Sequence, residues 1–150
     1  MSAYLDGLKM LARRDLSERQ VRQRLVRKGH EQDAIDDAIA QLREEHAIDD
    51  ARVAQTIART AANAKHRGKL RVRQEIERAG IGRDTAARAV DDVFETIDND
   101  ALIDASLNKR LRGRGTIADD REFQRLYRYL SAQGFEDDHI MKALTARQRR

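Results

Sequence analysis

From Ile35 to Leu42 the apolar residues Ile35, Ala38, Ile39 and Leu42 fall at i, i+3, i+4 and i+7, the spacing of one buried helical face. Similar short apolar steps between long polar ones continue to the C-terminus, and no proline interrupts them in 150 residues. With many Ala, Arg, Glu, Gln and Leu besides, the pattern predicts an all-α chain. Only six aromatics are available: Tyr4, Tyr127, Tyr129, Phe94, Phe123 and Phe135. The core must therefore come from several amphipathic helices packed through small aliphatic side chains.

Three segments align without gaps: LVRKGHEQDAIDDAI from Leu25, IERAGIGRDTAARAV from Ile76 and LSAQGFEDDHIMKAL from Leu130. Gly29, Gly80 and Gly134 coincide, followed by His30, Ile81 and Phe135, then by Asp33, Asp84 and Asp138. Upstream, Val21, Val72 and Leu126 also match. Glycine just past an apolar run supplies the left-handed residue that ends a helix, and the apolar residue after it packs back. The Asp then meets the positive end of the next helix dipole. A helix–Gly–helix pair recurs three times, and a further helix precedes each pair, at about residues 2–13, 50–65 and 100–112. The expected organisation is three tandem three-helix repeats, 1–48, 49–97 and 98–150, in an elongated, curved array. Ser17 with Gln20 reads as a capping box with a Leu16–Val21 staple, and Asp119 with Glu122 as a similar start.

Charge changes the picture locally. The net charge is only +4, from 30 basic and 26 acidic residues. Yet residues 13–28 and 59–78 each hold seven basic and two acidic side chains, and residues 109–128 seven and three. Residues 31–45 hold six acids and one Arg. The middle helix of each repeat is basic and the third is acidic, clearly so in the first two. Arg13, Arg14, Arg22, Arg27 and Lys28, then Arg67, Lys69, Arg71 and Arg73, then Arg110, Arg112 and Arg114 are the candidates for one groove against a polyanion. The alternative is a solvated surface paired with the acidic helices, and the pattern leaves both open. Tyr127 and Tyr129 are the only candidates for base stacking.

Catalytic chemistry is hard to assemble from these residues. The absence of cysteine excludes a disulfide scaffold, a Cys-ligated zinc site and thiol catalysis. His30, His46, His66 and His139 show no metal-ligand spacing, and His30 stands at a packing position. The acidic pairs, such as Asp36-Asp37 and Asp49-Asp50, are better explained as helix starts and solvated faces than as a cation site. Arg112-Gly113-Arg114-Gly115-Thr116 is a basic loop and not a P-loop, because Lys-Ser/Thr does not follow its second glycine. The reading is a non-enzyme with no cofactor or metal of its own. No apolar run approaches the ~20 residues of a membrane span, and no signal peptide is seen at the N-terminus, so a cytoplasmic protein is expected.

Several stretches resemble the RecX family of bacterial regulatory proteins. They are Leu11-Ala12-Arg13-Arg14-Asp15-Leu16-Ser17-Glu18, Leu25-Val26-Arg27-Lys28-Gly29, Leu42-Arg43-Glu44-Glu45, Ile48-Asp49-Asp50-Ala51-Arg52-Val53-Ala54 and Arg67 to Ile76. The ordered set, with the Asp-Asp-Ala-Arg joint, carries the likeness. The family commonly has Gly plus an aromatic or Leu where His46-Ala47-Ile48 stands here, and Phe where this chain has Val53. The resemblance implies a modulator of the RecA recombinase that binds the RecA–DNA filament and restrains its ATPase, strand-exchange and co-protease activities, and so the SOS response. It implies the RecA filament and single-stranded DNA as partners, with duplex DNA left open; a monomer needs no extra assumption. The competing reading is a stand-alone helical DNA-binding module, since each helix–Gly–helix pair is superficially similar to a helix-turn-helix.

Overall fold

The computed structural model describes residues 1–148, and these form an all-α fold. The α-helices are α1 (Ala3–Arg13), α2 (Glu18–Arg27), α3 (Gln32–Glu44), α4 (Asp50–Arg59), α5 (Lys69–Arg78), α6 (Arg83–Phe94), α7 (Asn99–Leu111), α8 (Asp120–Ala132) and α9 (Asp137–Ala146). A π-helical turn over Thr60–Ala64 extends α4. By proximity the residues form two compact units. Unit 1 is Met1–Thr56 with Ile76–Ala89; unit 2 is Ile57–Glu75 with the chain from Val90 onward. The second run of helices thus contributes residues to both.

The sequence signals for starting and stopping helices act as expected. Ser17 caps α2 with both halves of the box in place: the Gln20 N–H donates to Ser17 Oγ at 3.2 Å, and the Ser17 N–H donates to Gln20 Oε1 at 2.9 Å. Leu16 and Val21, the staple pair, are fully buried in one core. Asp119 caps α8, accepting from the Glu122 N–H at 2.9 Å, but the box is not closed. The Glu122 carboxylate instead accepts from the Ala118 N–H at 3.0 Å and from Arg114 at 2.7 Å, since a cation lies within its reach.

The repeated glycines all adopt positive φ: 91° at Gly29, 86° at Gly80 and 97° at Gly134. At the first and third the turn is a Schellman motif. His30 N–H donates to Leu25 O and Gly29 N–H to Val26 O, just as Phe135 N–H donates to Leu130 O and Gly134 N–H to Ser131 O. Asp33, Asp84 and Asp138 lie in the first turns of α3, α6 and α9.

In unit 1, α1 packs across α3 and α2 on a core of Leu16, Val21, Leu25, Ile35, Ile39, Leu42 and Ile48. In unit 2, α9 packs on α8 and α7 around Ile103, Leu107, Leu111, Leu126, Leu130, Phe135, Ile140 and Leu144. Burying a Leu or Ile side chain contributes about 1.5–3 kcal/mol, so these aliphatics replace the missing aromatics.

One contact is used twice. In unit 1 the Ser17 hydroxyl at the start of α2 donates to Ala79 O, at the end of α5, at 2.5 Å. In unit 2 the Gly68 N–H at the start of α5 donates to Gln133 O, at the end of α8, at 2.8 Å, and Leu70 N–H donates to Gly134 O at 3.1 Å. In the repeat alignment Ser17 corresponds to Gly68 and Ala79 to Gln133. Each joint sets the negative end of one helix on the positive end of another and satisfies terminal groups that the helices themselves leave free.

Candidate functional site

In unit 1, α1 and α2 enclose an open cleft of about 540 Å³ lined by Asp6, Lys9, Met10, Arg13, Arg14, Arg24, Arg27 and Lys28. The cations sit where they do for helical reasons. Lys9 and Arg13 are one turn apart on α1, as are Arg24 and Lys28 at the end of α2. Arg13, Arg24 and Arg27 also occupy last turns, where positive charge complements the helix dipole.

The one acid in the cleft is already engaged. Asp6 is buried, with its carboxylate 2.6 Å from His30 Nε2 and 3.5 Å from Lys28 Nζ. The hydrogen bond from His30, and then the charge of Lys28, hold it below the ordinary carboxylate value of 3.8 against the opposing effect of burial. His30 therefore packs behind the glycine, as its position predicts, and also supplies the polar partner of a buried carboxylate. Among the described residues no carboxylate lies within ion-pair distance of Lys9, Arg13, Arg14, Arg24 or Arg27.

The other candidate cations behave differently. Arg22 reaches Asp36 at 2.7 Å and Glu18 at 3.6 Å. Arg67 is half-buried against Glu75, with its Nε lacking a partner, and Arg71 lies 3.7 Å from the same carboxylate. Arg71 also donates to Ala132 O at 3.3 Å, so it belongs to the α5–α8 joint. Lys69 approaches Asp91 at 3.8 Å, and Arg73 is half-buried with a partner of its own. Arg114 makes two bonds to Glu122, whose carboxyl this pairing lowers. Arg110 lies 3.8 Å over the Tyr129 ring, a cation–π contact, while Arg112 is exposed at the left-handed end of α7.

Both tyrosines proposed for stacking are thus occupied: Arg110 covers Tyr129, and the Tyr127 hydroxyl donates to Asp137, which raises its pKa. The cleft unites Arg13, Arg14, Arg27 and Lys28 and adds Lys9 and Arg24, which the sequence reading did not single out. Their signal was available in the i, i+4 steps Lys9–Arg13 and Arg24–Lys28.

The acidic pairs serve caps and ion pairs. Asp36 takes Arg22 and Gln32, Asp49 accepts from the Arg52 N–H, and Asp50 accepts from the Glu18 N–H at 2.9 Å. Burial pushes the Asp50 carboxyl above its ordinary value. Glu136, Asp138 and His139 do bring their ligand atoms within 4.8 Å of one another, on the surface at the start of α9. No helix among the described residues is long and apolar enough to cross a membrane.

Comparison with known proteins places two three-helix domains along the chain. Residues 3–42 match the family model described as RecX, first three-helix domain, and residues 49–90 the model described as RecX, second three-helix domain. The chain is 31% identical over 141 residues to a protein named Regulatory protein RecX from Halorhodospira halophila, covering 93% of this chain and 84% of that one. It is 32% identical over 141 residues to a protein of the same name from Acidithiobacillus ferrooxidans, covering 93% and 87%. The crystal structure of RecX from Lactobacillus salivarius has the same fold, with a TM-score of 0.76 at 19% identity over 96% of this chain and 93% of that one. The two consecutive domain matches, and the likeness at 31% identity along nearly the whole chain, show that this chain belongs to the RecX family of regulatory proteins.

Proposed function

We propose that this protein is a non-enzymatic, cytoplasmic regulator that binds the RecA–DNA filament as a monomer. In this role it lowers RecA's ATPase, strand-exchange and co-protease activities and so tempers recombinational repair and the SOS response. The observation that carries the reading is family membership along the chain, with both three-helix domains in tandem over residues 3–90. The basic middle helices and acidic third helices expected of the repeats at 1–48, 49–97 and 98–150 suit a partner that carries both phosphate and basic protein surface. Unit 1 supports the same reading, since its open cations can face phosphate while Arg67, Lys69 and Arg71 are held in internal pairs.

The test is RecA's single-stranded-DNA-dependent ATPase titrated with this protein, beside binding to the same DNA without RecA. Inhibition well below the concentration that coats naked DNA is expected. Inhibition only once the DNA is saturated, or none, would favour the stand-alone DNA-binding module, which the basic cleft makes the second reading.

A further inference from the structure

We propose that the α1–α2 cleft of unit 1 is a phosphodiester track, holding the backbone of a single DNA strand without reading its bases. The inference rests on the filament-binding reading and assigns the strand contact within it to one site.

Four features carry it. Six of the eight residues lining the cleft are Lys or Arg, and its one carboxylate, Asp6, is buried and engaged by His30 and Lys28. Lys9, Arg13, Arg14, Arg24 and Arg27 gather in one cleft with no carboxylate of the described residues at ion-pair distance, so their charge is available to a ligand. By contrast Arg22, Arg67, Arg71 and Arg114 are closed by Asp36, Glu75 and Glu122. A phosphate would have to compete with those carboxylates for the same donors.

The arrangement also sets the kind of anion. Along each helix the charges step by one turn, Lys9 to Arg13 and Arg24 to Lys28, which is about 6 Å of rise at 1.5 Å per residue. Two rows of spaced cations suit a chain of phosphates, whereas an isolated phosphate needs donors that converge on one point. A cleft of about 540 Å³ has room for the sugar–phosphate backbone of one strand. Met10 is its only apolar lining residue and no aromatic side chain lines it, so it offers no aromatic platform on which bases could stack. Binding should accordingly be indifferent to base sequence and steep in salt.

The experiment is fluorescence anisotropy with a labelled mixed-sequence single-stranded oligonucleotide across a salt series, in the absence of RecA. The variant carrying Arg13→Gln, Arg24→Gln and Arg27→Gln should bind at least tenfold more weakly at low salt. The slope of log K against log salt should become shallower by about 2, for three phosphate contacts at roughly 0.7 each on a single strand. A second triple variant, Arg83→Gln, Arg88→Gln and Arg121→Gln, removes the same charge outside the cleft and should bind within about twofold of the parent. Circular dichroism confirms that both variants keep their helicity. Equal loss in both triples, an unchanged slope in the first, or no binding by the parent at low salt would overturn the proposal. Competition by millimolar orthophosphate as effective as by unlabelled strand would overturn it in favour of a single-anion site, and preference for duplex would overturn the single-strand assignment. Because RecA is absent, these results and the ATPase titration can fail independently.

Discussion

The two joints between helix ends perform the same task with different chemistry. In unit 1 a side-chain hydroxyl, Ser17 Oγ, reaches Ala79 O, and the Arg19 side chain lies against Gly80. In unit 2 the backbone itself is the donor: Gly68 N–H and Leu70 N–H reach Gln133 O and Gly134 O. A Cβ built on Gly68 would stand 2.5 Å from the Gly134 carbonyl carbon, and one on Gly134 would lie against the Arg71 backbone nitrogen, 2.9 Å from its Cα. A hydroxyl carries its donor about one bond outward and keeps two backbones apart. A backbone donor requires both chains to come into contact, which only glycine on each side permits. The first joint therefore depends on one hydroxyl beside a side chain that can shift, and the second on two positions without a Cβ.

Gly29 offers the third member of this comparison, since a Cβ there would meet nothing within 4 Å despite the same positive φ. Alanine substitutions at the three equivalent turns should separate backbone strain from joint packing. Gly134→Ala adds overpacking of about 1–3 kcal/mol to a left-handed penalty of about 1–2 kcal/mol, for a loss near 3 kcal/mol or more. Gly80→Ala, opposed by a side chain that can shift, should fall between. Gly29→Ala should lose only the left-handed penalty. Urea unfolding of the three variants decides the order, and equal losses would mean that the joints contribute nothing.

Ser17→Ala probes the first joint directly. It removes a buried hydroxyl that both caps α2 and donates to Ala79 O, for an expected loss of about 1–2 kcal/mol in the same urea experiment. Gly68→Ser, which would put a hydroxyl where unit 1 has one, should nonetheless destabilise, because the added Cβ has no room beside Gly134.

The carboxylates sharpen the contrast further. Asp6 in unit 1 is buried and its folded pKa is lowered, first by His30 and then by Lys28. A lowered carboxyl contributes stability that is present above its ordinary 3.8 and is lost as pH falls through the depressed folded value. Asp100 in unit 2 is also lowered, chiefly by Lys142, but both partners are largely in solvent. Asp6→Asn should therefore flatten the acid limb of the stability curve below about pH 4, while Asp100→Asn should leave it almost unaltered. Melting temperatures between pH 2.5 and 7 test this, and matching curves for the two variants would deny Asp6 its special place. The smallest effect belongs to Arg114, exposed beside the half-buried Glu122: Arg114→Gln should leave the midpoint of thermal unfolding almost unchanged.

Local rules made much of the fold legible in advance. Helical spacing placed the helices, the aligned glycines marked their ends, and Ser17 with Gln20 announced a closed box. Glu122 departs from its expected role because Arg114 competes for it, and that competitor is fixed by the path of the loop before α8. The candidate surface was legible only as a set of basic segments. Charge counts along the chain could not tell Arg27, which is open in the cleft, from Arg67, which Glu75 neutralises. His30 shows the same limit: its place in the repeat gives packing behind the glycine, while its pairing with Asp6, 24 residues earlier, is long-range.

The sequence by itself determined the all-α class, the register of the helix–Gly–helix pairs and the family, because these depend on residues within a few turns of one another. Tertiary structure alone decided which cations remain unneutralised and which glycines must stay glycine. Both depend on what the folded backbone brings within about 4 Å, and beyond the i, i+4 pairs that distance is not encoded in periodicity along the chain.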